Sequence, residues 1–255
     1  MGIKKKIIYR YRPINKNTLD ELIHYYLYFQ PAIELNDPFE FELNWANYEC
    51  DTNEFIQQNN YGNSIDAGQN QFDLLKKKTT TILKNKYKPK FDKYKKQIGV
   101  CCFTQTSLNP LMWSHYSQDH TGICIGYDLS KIPENEKLIE VKYSDTVPVP
   151  PNDYQGILDF SQITKKMLET KSCLWCYEQE LRLAKKIDQE RKVNFSNDTI
   201  CEVYFGLRTK EEDAETIGKL IHHRNNEAIF FKTKKNIGEY RLSKVLQPYD
   251  PSKVT

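Results

Sequence analysis

The sequence predicts an α+β fold: one domain over residues 1–255, built on a mixed or antiparallel sheet and carrying a loop and lysine-rich helical insertion over 51–97. Three observations support this. Short apolar strand candidates are interleaved irregularly with a few helices, without the regular alternation of a doubly wound α/β chain. Prolines stop one element after another, at Pro13, Pro31, Pro89 and the group Pro148, Pro150 and Pro151. A composition of 39% hydrophobic and 13% aromatic residues over 255 positions supplies a sizeable core and separates the chain from disordered sequences.

Ile7-Ile8-Tyr9-Arg10-Tyr11 reads as the first strand, ended by Pro13. Asn17 or Thr18 then caps a short helix reaching Tyr26, with Leu19, Leu22, Ile23 and Tyr26 at helical spacing. Leu27-Tyr28-Phe29 is a second strand. The stretch from Leu35 to Glu40 is a compact loop, where Asn36 and Asp37 before Pro38 suit an Asx-turn. Residues 51–71 are polar and aperiodic and read as an exposed loop. A helix over 72–87 follows, with Pro89 breaking it. Unbroken apolar and small residues make 98–103 and 122–127 buried strands, with a helical turn over 109–116 between them. Residues 138–143 alternate like a half-exposed strand, and 154–171 form a helix. From Glu180 onward the chain alternates again, with Leu181 and Leu183 on one face and Glu178, Glu180 and Arg182 on the other. A strand over 201–206, a helix over 210–223 and strands at 228–231 and 240–242 complete the chain.

The formal net charge of +3 conceals a split. Between Lys76 and Lys96 lie ten lysines and one aspartate, a local +9, which leaves −6 on the remainder. A uniformly basic chromatin-type protein is thereby excluded, and the basic segment becomes the candidate contact for nucleic acid. Only Ile7-Ile8 separate the basic start from Tyr9-Arg10, too short a core for a secretion signal, and no apolar run approaches membrane-spanning length. Seven cysteines are an odd count without framework spacing, which fits a reducing compartment. A cytoplasmic protein with no membrane partner is expected.

Dinucleotide, phosphate-loop, nucleophile-elbow and zinc-protease motifs do not occur. Cys173-x-x-Cys176 lacks a second pair, and no metal is expected. Three clusters remain. Tyr9-Arg10-Tyr11-Arg12-Pro13 alternates rings with guanidinium groups that can stack or clamp a phosphate; cross-strand arginine pairs are the structural alternative. Asn36-Asp37-Pro38-Phe39-Glu40 combines turn chemistry with two carboxylates. Trp113-Ser114-His115-Tyr116 and His120-Thr121-Gly122 set polar-tipped rings ahead of a glycine that permits close approach. Glu178 and Glu180, with Arg182 beyond them, are the catalytic candidates, since a held carboxylate can face a developing positive charge or a sugar hydroxyl. Against this stands a purely structural pair between Glu180 and Arg182.

Together these segments resemble a bacterial family, domain of unknown function 2971. The likeness is carried by Tyr9-x-Tyr11-Arg12-Pro13, N-D-P-F-E at 36–40, Cys102-Phe103, N-P-L-M-W-S-H-Y at 109–116 and H-T-G-I-C-I-G-Y-D at 120–128. Lys171, W-C-Y-E-Q-E-L-R at 175–182 and Val203-Tyr204-Phe205-Gly206 complete it, so that it spans 9–208. The family name implies no activity. More distantly, the order of an aromatic-basic strand, a central aromatic segment and a late glutamate-bearing strand resembles the ADP-ribosyltransferase fold.

That second resemblance implies NAD as substrate. Arg10 or Arg12, with Tyr11, would meet its adenosine side, Tyr116 or Trp113 would lie beside nicotinamide, and Glu180 would be the glutamate, with Glu178 two residues before it. Asn36, Asp37, His120 and Arg182 complete the candidate binding set. Cleavage of the ribose–nicotinamide bond passes through an oxocarbenium-like centre that a carboxylate stabilises. The acceptor would be a macromolecule, with the basic segment presenting nucleic acid, in phage defence or a toxin–antitoxin system. Two rivals stay open: a nucleic-acid-binding or nucleolytic module, and a non-catalytic interaction subunit of a defence system whose partner is a protein or antitoxin.

Overall fold

A computed structural model describes residues 6–48, 69–133, 137–150, 160–187 and 190–247. The loop expected over 51–71 lies outside these up to residue 68, as does 154–159 of the helix expected over 154–171. The chain divides into two compact units. The first comprises Met1–Gln30, Val100–Glu140 and Leu174–Thr255, the second Pro31–Gly99 and Val141–Cys173. The lysine-rich segment belongs to the second unit.

In chain order the first elements are β1 (Ile7–Arg12), α1 (Lys16–His24), β2 (Tyr26–Tyr28), β3 (Gln30–Pro31), α2 (Gln69–Lys95), β4 (Ile98–Thr104), α3 (Pro110–Tyr116) and β5 (Ile123–Asp128). They are followed by β6 (Ile139–Glu140), β7 (Lys142–Ser144), α4 (Phe160–Leu168), β8 (Thr170–Ser172) and β9 (Glu180–Lys186). The last are β10 (Lys192–Asn194), β11 (Ile200–Phe205), α5 (Glu211–His222), β12 (Ile229–Lys235) and β13 (Leu242–Leu246).

The fold is α+β, centred on a nine-stranded mixed sheet in which eight strands run in the order β13-β12-β11-β5-β1-β4-β9-β6. β1 is antiparallel to both β4 and β5, and β11 is antiparallel to β5. β11 and β12 are parallel, and α5 makes the crossover that such a pair requires. β5 is buried at every position, as a strand covered on both faces must be. On one face Ile8, Ile123, Ile125, Leu181, Leu183, Val203 and Phe205 pack with Leu22 of α1 and Ile217 and Ile221 of α5. On the other, Tyr11, Cys124 and Tyr204 pack with Met112 and Trp113 of α3.

Three local expectations are corrected. The N-cap of α1 is Asn15, whose side chain accepts from the Thr18 amide at 3.0 Å, and the buried face is Thr18, Glu21 and Leu22, leaving Ile23 exposed. α2 runs through Pro89 instead of stopping before it. A proline inside a helix costs one hydrogen bond and about 3 kcal/mol, but anchors on both sides of it hold the helix. Tyr87 and Phe91 are buried, Phe91 packs against Trp45 with ring centroids 6.2 Å apart, and Lys95 pairs with Glu42 at 2.8 Å. The single strand expected over 138–143 is two, because β6 pairs with β9 while β7 pairs in parallel with β8. Among the described residues no helix is long and apolar enough to cross a membrane.

Candidate functional site

The pleat of β1 separates residues that adjoin in sequence. Tyr9 and Tyr11 face α3, whereas Ile8, Arg10 and Arg12 face α1. The aromatic-basic cluster is therefore not one binding patch. Arg10 and Arg12 both reach Glu21 of α1, at 3.5 Å and 2.7 Å, and Arg10 also lies over the Phe103 ring at 5.6 Å. Two guanidinium groups share one carboxylate here. Burial, and then Arg10 beside it, holds the Arg12 guanidinium below its ordinary pKa, and its buried Nε has no hydrogen-bond partner among the described residues. Glu21 went unnoticed in the sequence, although a charge one residue from Leu22 on the inward stripe of a helix signals a buried partner.

On the opposite face Trp113 is 0% exposed, donates from Nε1 to the Ser107 carbonyl at 3.0 Å and meets Tyr11 edge-on at 5.1 Å. Tyr11 accepts from the Asn109 amide at 3.2 Å, and burial pushes its phenol up. Both residues were expected to touch ligand. Their rings are buried in the layer between sheet and helix.

The layer above them is more open. Asn109 caps α3 by accepting from the Leu111 amide at 2.9 Å, and its side-chain amide donates to the Tyr177 carbonyl at 2.7 Å. This ties the helix to the 3-10 turn Cys173–Glu178. Tyr116 then donates to Glu178 Oε1 at 2.5 Å, and His115 Nδ1 lies 2.8 Å from the Tyr177 hydroxyl. The His115 ring sits 6.2 Å from Trp175 and 5.9 Å from Tyr177. A carboxylate only 3% exposed thus meets the Tyr116 phenol, and the neighbouring His115, itself exposed, gathers the Trp175 and Tyr177 rings.

Glu178 and Glu180 do not share a strand face. Glu178 ends the 3-10 turn, Gln179 adopts a left-handed φ of 46°, and β9 starts at Glu180. The two carboxylates consequently have different surroundings. Both oxygens of Glu180 are held by Arg182, whose Nε and NH2 donate at 2.7 Å and 2.9 Å. Among the sequence candidates, then, Tyr116 meets Glu178, Tyr11 meets Trp113, Glu180 meets Arg182, and Arg10 meets Arg12 through Glu21. Asn36 and Asp37 belong to the second unit. There Asp37 Oδ1 accepts from the Phe39 amide at 2.9 Å, the turn chemistry expected, and Glu40 pairs with Lys171 at 2.9 Å.

His120 closes a strained turn. Gln118, Asp119 and His120 have consecutive φ values of 51°, 54° and 68°, a left-handed run without glycine. Bonds from the His120 amide to the Trp113 carbonyl at 3.2 Å and from Gly122 to Ser117 at 2.8 Å hold it. The imidazole stacks on Trp113 with centroids 6.1 Å apart, Nε2 lies 3.3 Å from Ser114 Oγ, and Nδ1 is buried without a partner among the described residues. Burial first, and then Arg208, hold its pKa below the ordinary value. The unfolded chain therefore binds a proton that the native chain resists, and stability falls as pH drops below about 6.5. Urea midpoints followed from pH 8 to pH 5 are expected to fall more steeply for the wild type than for His120→Phe; parallel curves would acquit His120.

A further polar group was not anticipated. Tyr9 and Tyr204 both donate to Glu202 Oε2, at 3.0 Å and 2.7 Å, and Lys244 donates to the Tyr204 hydroxyl at 2.8 Å. Burial above all pushes both phenols up, with Glu202 acting in the same direction. The signal was a carboxylate inside the otherwise apolar strand Cys201-Glu202-Val203-Tyr204-Phe205. Its partners come from three strands of the sheet. Among the described residues no group of three or more His, Cys, Asp or Glu is placed to hold a metal ion.

A family model described as a protein of unknown function, DUF2971, matches residues 112–183. That stretch runs from α3 into β9 and contains Tyr116, Glu178, Glu180 and Arg182. It is narrower than the span over which the motif likeness extends. No curated protein and no solved structure matches the chain significantly.

Proposed function

We propose that the chain is an NAD-consuming enzyme of the ADP-ribosyltransferase kind, with Glu178 as the reacting carboxylate. The observation behind this reading is the 2.5 Å bond from Tyr116 to Glu178, beside a cluster of rings formed by His115, Trp175 and Tyr177. Tyr116 and Glu178 were chosen from the sequence as an aromatic and an acidic group of one site, and they are in contact although 62 residues apart. Flat rings suit a nicotinamide or adenine ring. A carboxylate aimed by a phenol suits the cation that develops at the ribose when the nicotinamide bond breaks. The fold-level part of the reading rests on the sequence resemblance. In this arrangement Glu178 replaces Glu180 as the working glutamate, because Glu180 is occupied by Arg182.

One observation favours a second reading. A glutamate locked in an ion pair is what a non-catalytic interaction subunit of a defence system would show, and Glu180 is so locked. Purified protein incubated with NAD, with and without protein, DNA and RNA acceptors, separates the two by mass analysis of released nicotinamide. Glu178→Gln is expected to lower release at least ~100-fold, the scale on which removing one transition-state stabilising group acts. Tyr116→Phe is expected to lower it less, and thermal melting of both variants separates loss of turnover from loss of fold. Undiminished release by Glu178→Gln sinks the carboxylate assignment, and no release by the wild type with any acceptor favours the interaction subunit.

A further inference from the structure

We propose that the hairpin formed by β12 and β13 is a nucleic-acid-binding finger, a surface distinct from both the aromatic cluster at Glu178 and the lysines of α2. The two strands pair antiparallel from Phe231↔Leu246 to Lys235↔Leu242, and the Asn236 amide closes the ribbon by donating to the Arg241 carbonyl at 3.0 Å. Gly238, with φ 78°, turns the tip.

Two properties of the ribbon need a partner. At the tip, Ile237 and Tyr240 are exposed at 103% and 104%, so neither side chain packs on its own fold. Scattered surface apolar residues are ordinary, but two fully solvated large ones on one turn form a patch without internal purpose. Behind them, residues 232–246 carry five Lys or Arg against one Glu, a local +4. Lys232 is committed to the Thr209 carbonyl at 2.9 Å and Lys244 to the Tyr204 hydroxyl at 2.8 Å and to Glu202 at 3.8 Å, which leaves Lys234, Lys235 and Arg241 along the ribbon. Lysines on an edge strand discourage strand-to-strand aggregation. That accounts for charge on β13 but not for an isoleucine and a tyrosine at its turn.

Charge complementarity selects the occupant. Strand alternation and the register place Lys235 on one face of the ribbon and Lys234 on the other. A ribbon lying in a groove or along a strand meets phosphates on both sides, whereas a bilayer offers its charge in one plane. A two-stranded ribbon fits the major groove, and a tyrosine and an isoleucine at its end can stack on a base or wedge between base steps. The proposal goes beyond the NAD reading and does not depend on it.

The test uses the full chain and fluorescein-labelled 20-mers of mixed sequence, single-stranded and duplex, followed by anisotropy between 50 and 200 mM salt. Lys234→Gln/Lys235→Gln/Arg241→Gln is expected to weaken binding and to reduce the salt slope by roughly 2, at about 0.7–0.9 for each phosphate left without its cation. Ile237→Ser/Tyr240→Ser is expected to weaken binding about tenfold at an unchanged slope. These side chains stand clear of the core, so melting temperatures should match the wild type. Nicotinamide release should not change either, which separates failure here from failure of the NAD reading. Four outcomes overturn the proposal: no binding of either oligonucleotide by the wild type, unchanged binding by both variants, loss only on Lys84→Gln/Lys86→Gln/Lys90→Gln, or capture by phosphatidylserine vesicles without oligonucleotide binding.

Discussion

Glu180→Gln is expected to cost about 3–5 kcal/mol of folding stability, the usual result of removing one partner from a buried ion pair. The Arg182 side chain is 0% exposed and that of Glu180 4%, so both charges have left water and each depends on the other. Glutamine keeps the shape but removes the charge that both donors of the guanidinium meet at Glu180. Exchanging both at once, Glu180→Leu with Arg182→Met, is expected to recover part of that stability, because both charges of the pair are then removed together. Urea unfolding of the two single variants and the double variant measures this directly. A single variant within about 1 kcal/mol of wild type would mean that the pair is not desolvated as described. The result bears on function as well. Any decline of NAD turnover in Glu180→Gln has to be judged against its melting curve, and so has any decline in Glu178→Gln, since both carboxylates are buried.

Gly206→Ala is expected to destabilise by about 3 kcal/mol, at the upper end of ordinary overpacking. A Cβ there would stand 2.1 Å from the His120 carbonyl oxygen and 2.7 Å from its carbon. Neither is the flexible end of a side chain. Relief requires moving the left-handed turn at 118–120, which is bonded to α3 through the Trp113 and Ser114 carbonyls and to Arg208 through the His120 carbonyl at 3.0 Å. The effect should extend to the imidazole, since His120 and Trp113 would lose their stacking together. Denaturant unfolding checks the stability, and the His120 ring signals in NMR spectra check the local change. A variant within about 0.5 kcal/mol of wild type would show that the close approach is not maintained in solution.

Much of the secondary structure was legible. β1, β4, β5, α3 and α5 lie within a residue or two of where apolar runs, alternation and punctuation placed them. Tyr116 and Glu178 were each picked out by the motifs, but that they touch was not legible. Nor were other features. The continuation of α2 past Pro89 depends on Trp45 and Glu42, which come far earlier in the chain. The departure of Glu178 from the strand depends on a left-handed Gln179, a conformation that no glycine announces. The division of Tyr11 from Arg10 and Arg12 was available from the pleat alone, and only the apparent coherence of the motif hid it.

What the sequence by itself determined is which stretches become strands and helices, because hydrophobic period, caps and turn residues are properties of neighbours in the chain. What only the tertiary structure decided is which charges and rings meet. Tyr9 finds Glu202 across 193 residues, and Tyr116 finds Glu178 across 62. Those meetings follow from strand order and from the face each pleat presents, and strand order is set by the packing of the whole sheet, which no local pattern records.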